Sequence, residues 1–83
     1  MKIAVLGSGC SNCKRLYEIT QKAVEELGLS IQVEYITGDE GLKKIMELGL
    51  MQSPVLTIDD EAVMVGFIDD TEKIKEIINE KLG

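Results

Sequence analysis

The sequence has no histidine and no tryptophan, a single proline, and cysteine at only two positions, Cys10 and Cys13. Without histidine, serine–histidine and cysteine–histidine catalysis in their usual forms are excluded. Two cysteines also fall short of the four ligands of a structural zinc site. Aromatic side chains are scarce, being Tyr17, Tyr35 and Phe67 alone, and basic residues are outnumbered, with 9 Lys and Arg against 15 Asp and Glu for a net charge of −6. Such a chain lacks the cationic footprint that a phosphate backbone requires, so no nucleic-acid partner is expected. An anionic membrane surface would repel it too. No apolar run approaches the roughly 20 residues that span a bilayer. The opening run Ile3-Ala4-Val5-Leu6 is too short for the core of a signal peptide and stops at Gly7. The expected compartment is the cytoplasm, where thiols are kept reduced and a close cysteine pair is more often catalytic or metal-binding than structural.

What is present is an ordinary globular composition, 45% hydrophobic and 29% charged, in 83 residues. That length predicts one domain, residues 1–83. Strand-like and helix-like segments alternate along it. Lys2–Leu6 reads as a buried strand that runs into the loop Gly7-Ser8-Gly9. Ser11–Leu27 carries Leu16, Ile19/Thr20, Ala23/Val24 and Leu27 at helical spacing, with Gly28 placed as a left-handed C-terminal cap. Ile31–Ile36 alternates apolar and polar residues as a half-buried strand. A short helix is predicted over Glu40–Leu48, with Asp39 as its N-cap and Leu42, Ile45/Met46 and Gly49 on its apolar spacing. Pro54–Ile58 and Ala62–Val65 read as a hairpin around Asp59-Asp60-Glu61. The last helix, Thr71–Leu82, has Asp69, Asp70 and Glu72 near its positive end, Lys81 near its negative end, and a buried stripe of Ile74, Ile77/Ile78 and Leu82. The order β-α-β-α-β-β-α makes an α/β fold. Its opening βαβ unit demands a parallel strand pair, the hairpin adds antiparallel strands, and the sheet is therefore mixed, with helices on both faces.

Cys10 and Cys13 follow the first strand and open the first helix. A helix N-terminus carries partial positive charge and unpaired backbone N–H groups, both of which stabilise a thiolate. Lys14 and Arg15 add positive potential in an otherwise acidic chain. Cys10, nearer the helix end and solvent, is the candidate nucleophile. Cys13, a turn inside, is the candidate resolving thiol, able to close a disulfide onto Cys10. Ser11 and Asn12 between them, and Gly7-Ser8-Gly9 before them, keep the site polar. Gly7-x-Gly9 is not a dinucleotide loop, since its third glycine is replaced by Asn12. Pro54, the one proline, opens the third strand, where a proline by itself marks only a strand start.

In Gly9-Cys10-Ser11-Asn12-Cys13, in Ser53-Pro54 at the start of strand three, in Gly66 after strand four and in the closing helix, the chain resembles the small thioredoxin/glutaredoxin-like redox-active disulfide proteins, the minimal thioredoxin-like fold. The resemblance covers essentially the whole sequence. It implies a four-stranded mixed sheet flanked by three helices, Cys10 as nucleophile, Cys13 as resolving thiol, and a cis bond at Ser53–Pro54 that presents the Ser53 backbone to an extended substrate. It further implies a monomeric thiol–disulfide oxidoreductase without metal or other cofactor, with protein disulfides as substrates and a dithiol reductase as partner. Ser11, Asn12, Lys14 and Gly66 are supporting residues in that picture. The Ser-Asn dipeptide departs from the Gly-Pro of typical thioredoxins and the Pro-Tyr of typical glutaredoxins, which leaves the direction of electron flow open.

Three alternatives remain. A glutathione-dependent, glutaredoxin-type protein would use Gly-Gly before an acidic turn; here Val65-Gly66-Phe67 has one glycine, while Asp69 and Asp70 keep the acidic turn. A soft-metal chaperone for copper or zinc also places Cys-x-x-Cys between a first strand and first helix. Such domains run β-α-β-β-α-β and carry Met two residues before the first cysteine, where this chain has Ser8. A dimer bridging an iron–sulfur cluster through Cys10 of each subunit is a further, weaker reading. A helix between strands two and three discriminates the redox order from the metal-chaperone order.

Overall fold

Ile3–Leu6 forms β1, a strand of uninterrupted apolar residues with all four buried, and the other elements assemble around it. The structure, a computed structural model, describes residues 2–9 and 11–82. After β1 come α1 (Ser11–Glu26), β2 (Val33–Ile36), α2 (Gly38–Glu47), β3 (Val55–Ile58), β4 (Glu61–Val65) and α3 (Thr71–Leu82). The sheet order is β2-β1-β3-β4, with β1 parallel to β2 and antiparallel to β3, and β3 antiparallel to β4. This is the expected thioredoxin-like arrangement, a four-stranded mixed sheet with three helices.

Side chains of β1 alternate between two cores, as strand geometry requires. Ile3 and Val5 point to the larger core, where Leu16, Ile19, Ala23 and Val24 of α1 and Ile74 and Ile78 of α3 pack with Leu56 and Ile58 of β3. Ala4 and Leu6 point the other way, to a smaller core with Val55 and with Ile45 of α2. Two helices thus cover one face and one helix the other. Thr57 is the polar exception on the smaller face, and it is satisfied there, its hydroxyl donating to the Ala4 carbonyl at 3.2 Å. Lys75 ties α3 to α1 by donating to Glu26 at 3.1 Å and also to Glu72 at 3.4 Å. The hydrogen bond to Glu26 is the main reason its ammonium is held above the ordinary lysine range.

The element order follows the sequence reading, and the differences have local causes. β2 begins at Val33 rather than Ile31, because Val33 pairs with Ile3, the first residue of β1. Ile31 instead packs half-buried against the larger core. The hairpin turn is the dipeptide Asp59-Asp60 alone, and Glu61 already belongs to β4. Both aspartates take left-handed backbone angles, φ 53° and 66°, the pattern of a two-residue turn matched to strand twist. The Lys2 N–H donates to Asp59 Oδ1 at 2.8 Å and the Asp59 N–H to the Lys2 carbonyl at 2.7 Å. These bonds offset the cost of left-handed aspartates, roughly 1 kcal/mol each. α1 ends at Glu26 with Gly28 at φ 71° beyond it, as the cap reading required.

α2 departs furthest. It starts at Gly38, its N-cap is Thr37 and not Asp39, and the cap makes no side-chain hydrogen bond. Its buried residues are Gly41 and Ile45, whereas Leu42 and Met46 stand 43% and 73% exposed. The buried seam is displaced by one residue around the helix from the expected stripe. In α3 the stripe holds for Ile74 and Ile78, but Leu82 is 47% exposed, because the last turn extends past the core.

The α3 seam gives a direct test by urea denaturation. Ile74→Ala, at a fully buried position, is expected to cost about 3 kcal/mol through lost burial and the cavity left behind. Leu82→Ala is expected to cost less than about 0.5 kcal/mol. Equal losses at the two positions would contradict the packing described.

Candidate active site

The carboxyl end of β1 is where the fold gathers the residues singled out by sequence. Leu6 is paired with Val55, and continuing that register brings Gly7 level with Pro54. The Gly7 N–H donates to the Ile36 carbonyl at 3.0 Å, so the chain leaves β1 still tied to β2. On the other side the Gly66 N–H donates to the Pro54 carbonyl at 2.8 Å. Gly66 takes φ 92°, a backbone that L side chains rarely adopt, and this turns the chain out of β4 at the level of Pro54. The Ser53–Pro54 peptide bond is cis; Pro54 is buried and Ser53 is exposed.

Cys13 stands in the first turn of α1 with no exposed surface. Its side chain rests directly on Gly7: a Cβ at Gly7 would overlap Sγ and lie 2.8 Å from the cysteine Cβ. Cys10 lies outside the described residues. Ser11, Asn12 and Lys14 are on the same first turns of α1 and all three face solvent. Among the described residues no cluster of three or more cysteine, aspartate or glutamate side chains is placed to hold a metal ion.

Two charged features border this end. Arg15 of α1 lies 3.6 Å from Asp69, an exposed ion pair that links α1 to the segment between Gly66 and α3. Asp70 is the N-cap of α3, its Oδ1 accepting from the N–H groups of Glu72 at 3.1 Å and Lys73 at 3.4 Å. The acidic turn noted in the sequence is therefore engaged within the protein. On the opposite side an apolar groove of about 550 Å³ runs from α2 to the start of β3, lined by Leu42, Ile45, Met46, Leu50, Met51 and Ser53. Met51 is 98% exposed.

The structure thus brings Cys13, Pro54 and Gly66 to one end of the sheet, with Ser53 at its margin and Ser11, Asn12 and Lys14 on the adjoining helix. Sequence reasoning missed Gly7, Gly41 and the groove residues Leu42, Met46 and Met51. A glycine within a helical pattern, as at Gly41, is a signal of close packing that could have been used. Leu42 and Met46 fall on the predicted apolar stripe of the helix, and helical spacing alone does not say which side of such a stripe is covered; Met51 lies outside any predicted element.

Comparison with known proteins bears on the chain as a whole. Residues 1–79 match the family model described as thioredoxin domain. The chain is 37% identical over 79 residues to a thioredoxin of Methanothermobacter thermautotrophicus, covering 95% of this chain and 99% of that one. It is 36% identical over 74 residues to a thioredoxin of Methanocaldococcus jannaschii, covering 89% of this chain and 81% of that one. A second thioredoxin of that organism is 27% identical over 73 residues, covering 88% and 85%.

Gly66 provides the test of this geometry. Nothing stands within 4 Å of a methyl group added there, so Gly66→Ala meets only the cost of a left-handed backbone. The expected loss is about 1–2 kcal/mol in urea denaturation. A neutral result would show that the Gly66–Pro54 bond does not depend on that backbone angle.

Proposed function

The chain belongs to the thioredoxin family as a thioredoxin-type redox protein, and from that premise we propose that it is a thiol–disulfide oxidoreductase acting on protein disulfides through Cys10 and Cys13. The observation that carries this reading is Cys13 itself, fully buried in the first turn of α1 against the Gly7 backbone, at the end of the sheet where Ser53 and Pro54 lead into β3.

Cys10 is the nucleophile. It directly precedes Ser11, the first residue of α1, in the chain, and the positive end of that helix favours its thiolate. Exposed Lys14 adds positive potential, and Ser11 and Asn12 keep the approach polar. The Cys10 thiolate attacks one sulfur of a substrate disulfide. That bond breaks, a mixed disulfide with Cys10 forms, and the expelled substrate thiolate takes up a proton. Cys13 then gives up its proton and attacks the Cys10 sulfur, expelling the second substrate thiolate, which is protonated in turn. Two electrons and two protons have passed to the substrate, and Cys10–Cys13 is left as the disulfide. A dithiol reductase returns the electrons. Burial of Cys13 suits a thiol that reacts only with sulfur delivered to it by Cys10.

Substrate contact is assigned to Ser53, Pro54 and the adjoining groove. Ser53 is exposed and is assigned to pair through its main chain with an extended segment, and flexible methionines such as Met46 and Met51 adapt to varied apolar side chains. The same features disfavour the alternatives. Asp70 is spent as the cap of α3 and Asp69 faces Arg15, which weakens the case for glutathione. α2 stands between β2 and β3, which is the redox order and not that of the metal chaperones. We assign the work to one domain, residues 1–83, acting as a monomer in the cytoplasm; no helix among the described residues is long and apolar enough to cross a membrane.

Insulin reduction with dithiothreitol tests the reading. Cys10→Ser should abolish turnover, and Cys13→Ser should accumulate a mixed disulfide with substrate, detectable by mass. A fully active Cys10→Ser protein would sink the assignment. Met46→Glu, which puts a charge into the groove, should raise KM for an unfolded protein substrate several-fold with little change in kcat. An unchanged KM would remove the groove from substrate binding.

A further inference from the structure

We propose that Gly41 is a positioning residue for the Cys13 thiol, acting through Gly7. The inference rests on the assignment of Cys13 as the resolving thiol and adds a residue to that site from a different helix. Gly41 is buried in the first half of α2. A Cβ there would overlap the Gly7 carbonyl oxygen, lie 2.5 Å from the Ile36 carbonyl oxygen and 3.1 Å from the Gly7 nitrogen. All three are backbone atoms, and Gly7 and Ile36 are joined by their own 3.0 Å hydrogen bond. No side chain is present that could swing aside. On its other side Gly7 carries the Cys13 sulfur, again with no room for a Cβ between them.

The α2 backbone, the Gly7 peptide and the Cys13 side chain are therefore stacked in contact. This tightness is particular to the place. At Gly28, Gly38, Gly49 and Gly66 an added Cβ meets nothing within 4 Å. Unlike those glycines, Gly41 does not have a left-handed backbone, so conformation does not call for glycine. In the interior of a helix glycine is less favourable than alanine. Close approach is what that cost obtains. With Gly41 seated on Gly7, the sulfur is held at one depth beneath the first turn of α1. An added methyl must push Gly7 toward the sulfur or lift α2 away.

Positioning of Cys13 bears on the second step, closure of Cys10–Cys13, and not on the first attack by Cys10. In Gly41→Ala the equilibrium constant of the Cys10–Cys13 couple, titrated in glutathione buffers, should shift by about threefold or more. In the Cys13→Ser background, addition of Gly41→Ala should leave the rate of mixed-disulfide formation with a small disulfide that does not use the groove, such as 2-hydroxyethyl disulfide, within about twofold. Lys43→Ala, an exposed neighbour on α2, should alter neither. An unshifted equilibrium constant overturns the proposal, and so do equal changes in both readouts. Should Gly41→Ala fail to fold, the wild-type protein decides. Its Gly41 amide resonance should move between the reduced and oxidised forms more than that of Lys43, and a stationary Gly41 resonance overturns the proposal. Failure of the underlying reading looks different: the wild-type protein would form no reversible Cys10–Cys13 bond at all.

Discussion

Burial of β1 on both faces is the constraint from which the rest of the architecture follows. A strand whose Ile3, Ala4, Val5 and Leu6 are all covered needs a neighbour on each edge and a layer on each face. β2 and β3 supply the edges, α1 with α3 one layer, and α2 the other. A single short helix closes the smaller face, and it does so only by coming very near the sheet. Gly41 permits that approach. The same constraint places the site, because the backbone that leaves β1 at Gly7 is still hydrogen-bonded to Ile36 and still too enclosed to carry a side chain.

How much of this could be read from the residues depended on whether local pattern and tertiary packing agreed. In α1 they agreed. Leu16, Ile19, Ala23 and Val24 face a core built from the sheet and α3 together, so a broad apolar stripe is buried across its full width. In α2 they did not. Leu42, Ile45 and Met46 form an equally plausible stripe, but the buried pair is Gly41 and Ile45, and a glycine contributes no hydrophobic signal to a periodicity. Caps show the same contrast. Asp70 makes the hydrogen bonds of an N-cap at α3, whereas at α2 the cap position falls on Thr37, two residues before the aspartate that composition favoured. The Ser53–Pro54 geometry could be anticipated only through family resemblance, since the residues alone favour trans.

The site divides its tasks between helices that pack on opposite faces of the sheet. α1 carries Cys13 and supplies the positive helix end preceding which Cys10 stands in sequence. α2 does two things with two adjacent seams: Gly41 and Ile45 turn inward to the sheet, while Leu42 and Met46 line the groove that reaches Ser53. Because those seams are one residue apart on a single rigid helix, the depth at which α2 sits fixes both the floor beneath Cys13 and the position of the groove wall. A larger residue at position 41 would disturb the two together, although neither Leu42 nor Met46 would have changed.

Electrostatics impose a complementary division. The chain is strongly acidic, yet both carboxylates of the segment between Gly66 and α3 are engaged: Asp70 in capping α3 and Asp69 against Arg15. Had Asp69 and Asp70 been left unpaired, their charge would oppose a thiolate at the head of α1, since like charges disfavour the ionised form. Engagement of these two groups weakens that opposition without requiring a basic protein. An acidic surface is thus compatible with the thiolate proposed at Cys10, because the field at a thiol is set by the nearest helix end and the nearest unneutralised charges far more than by the sum over the molecule.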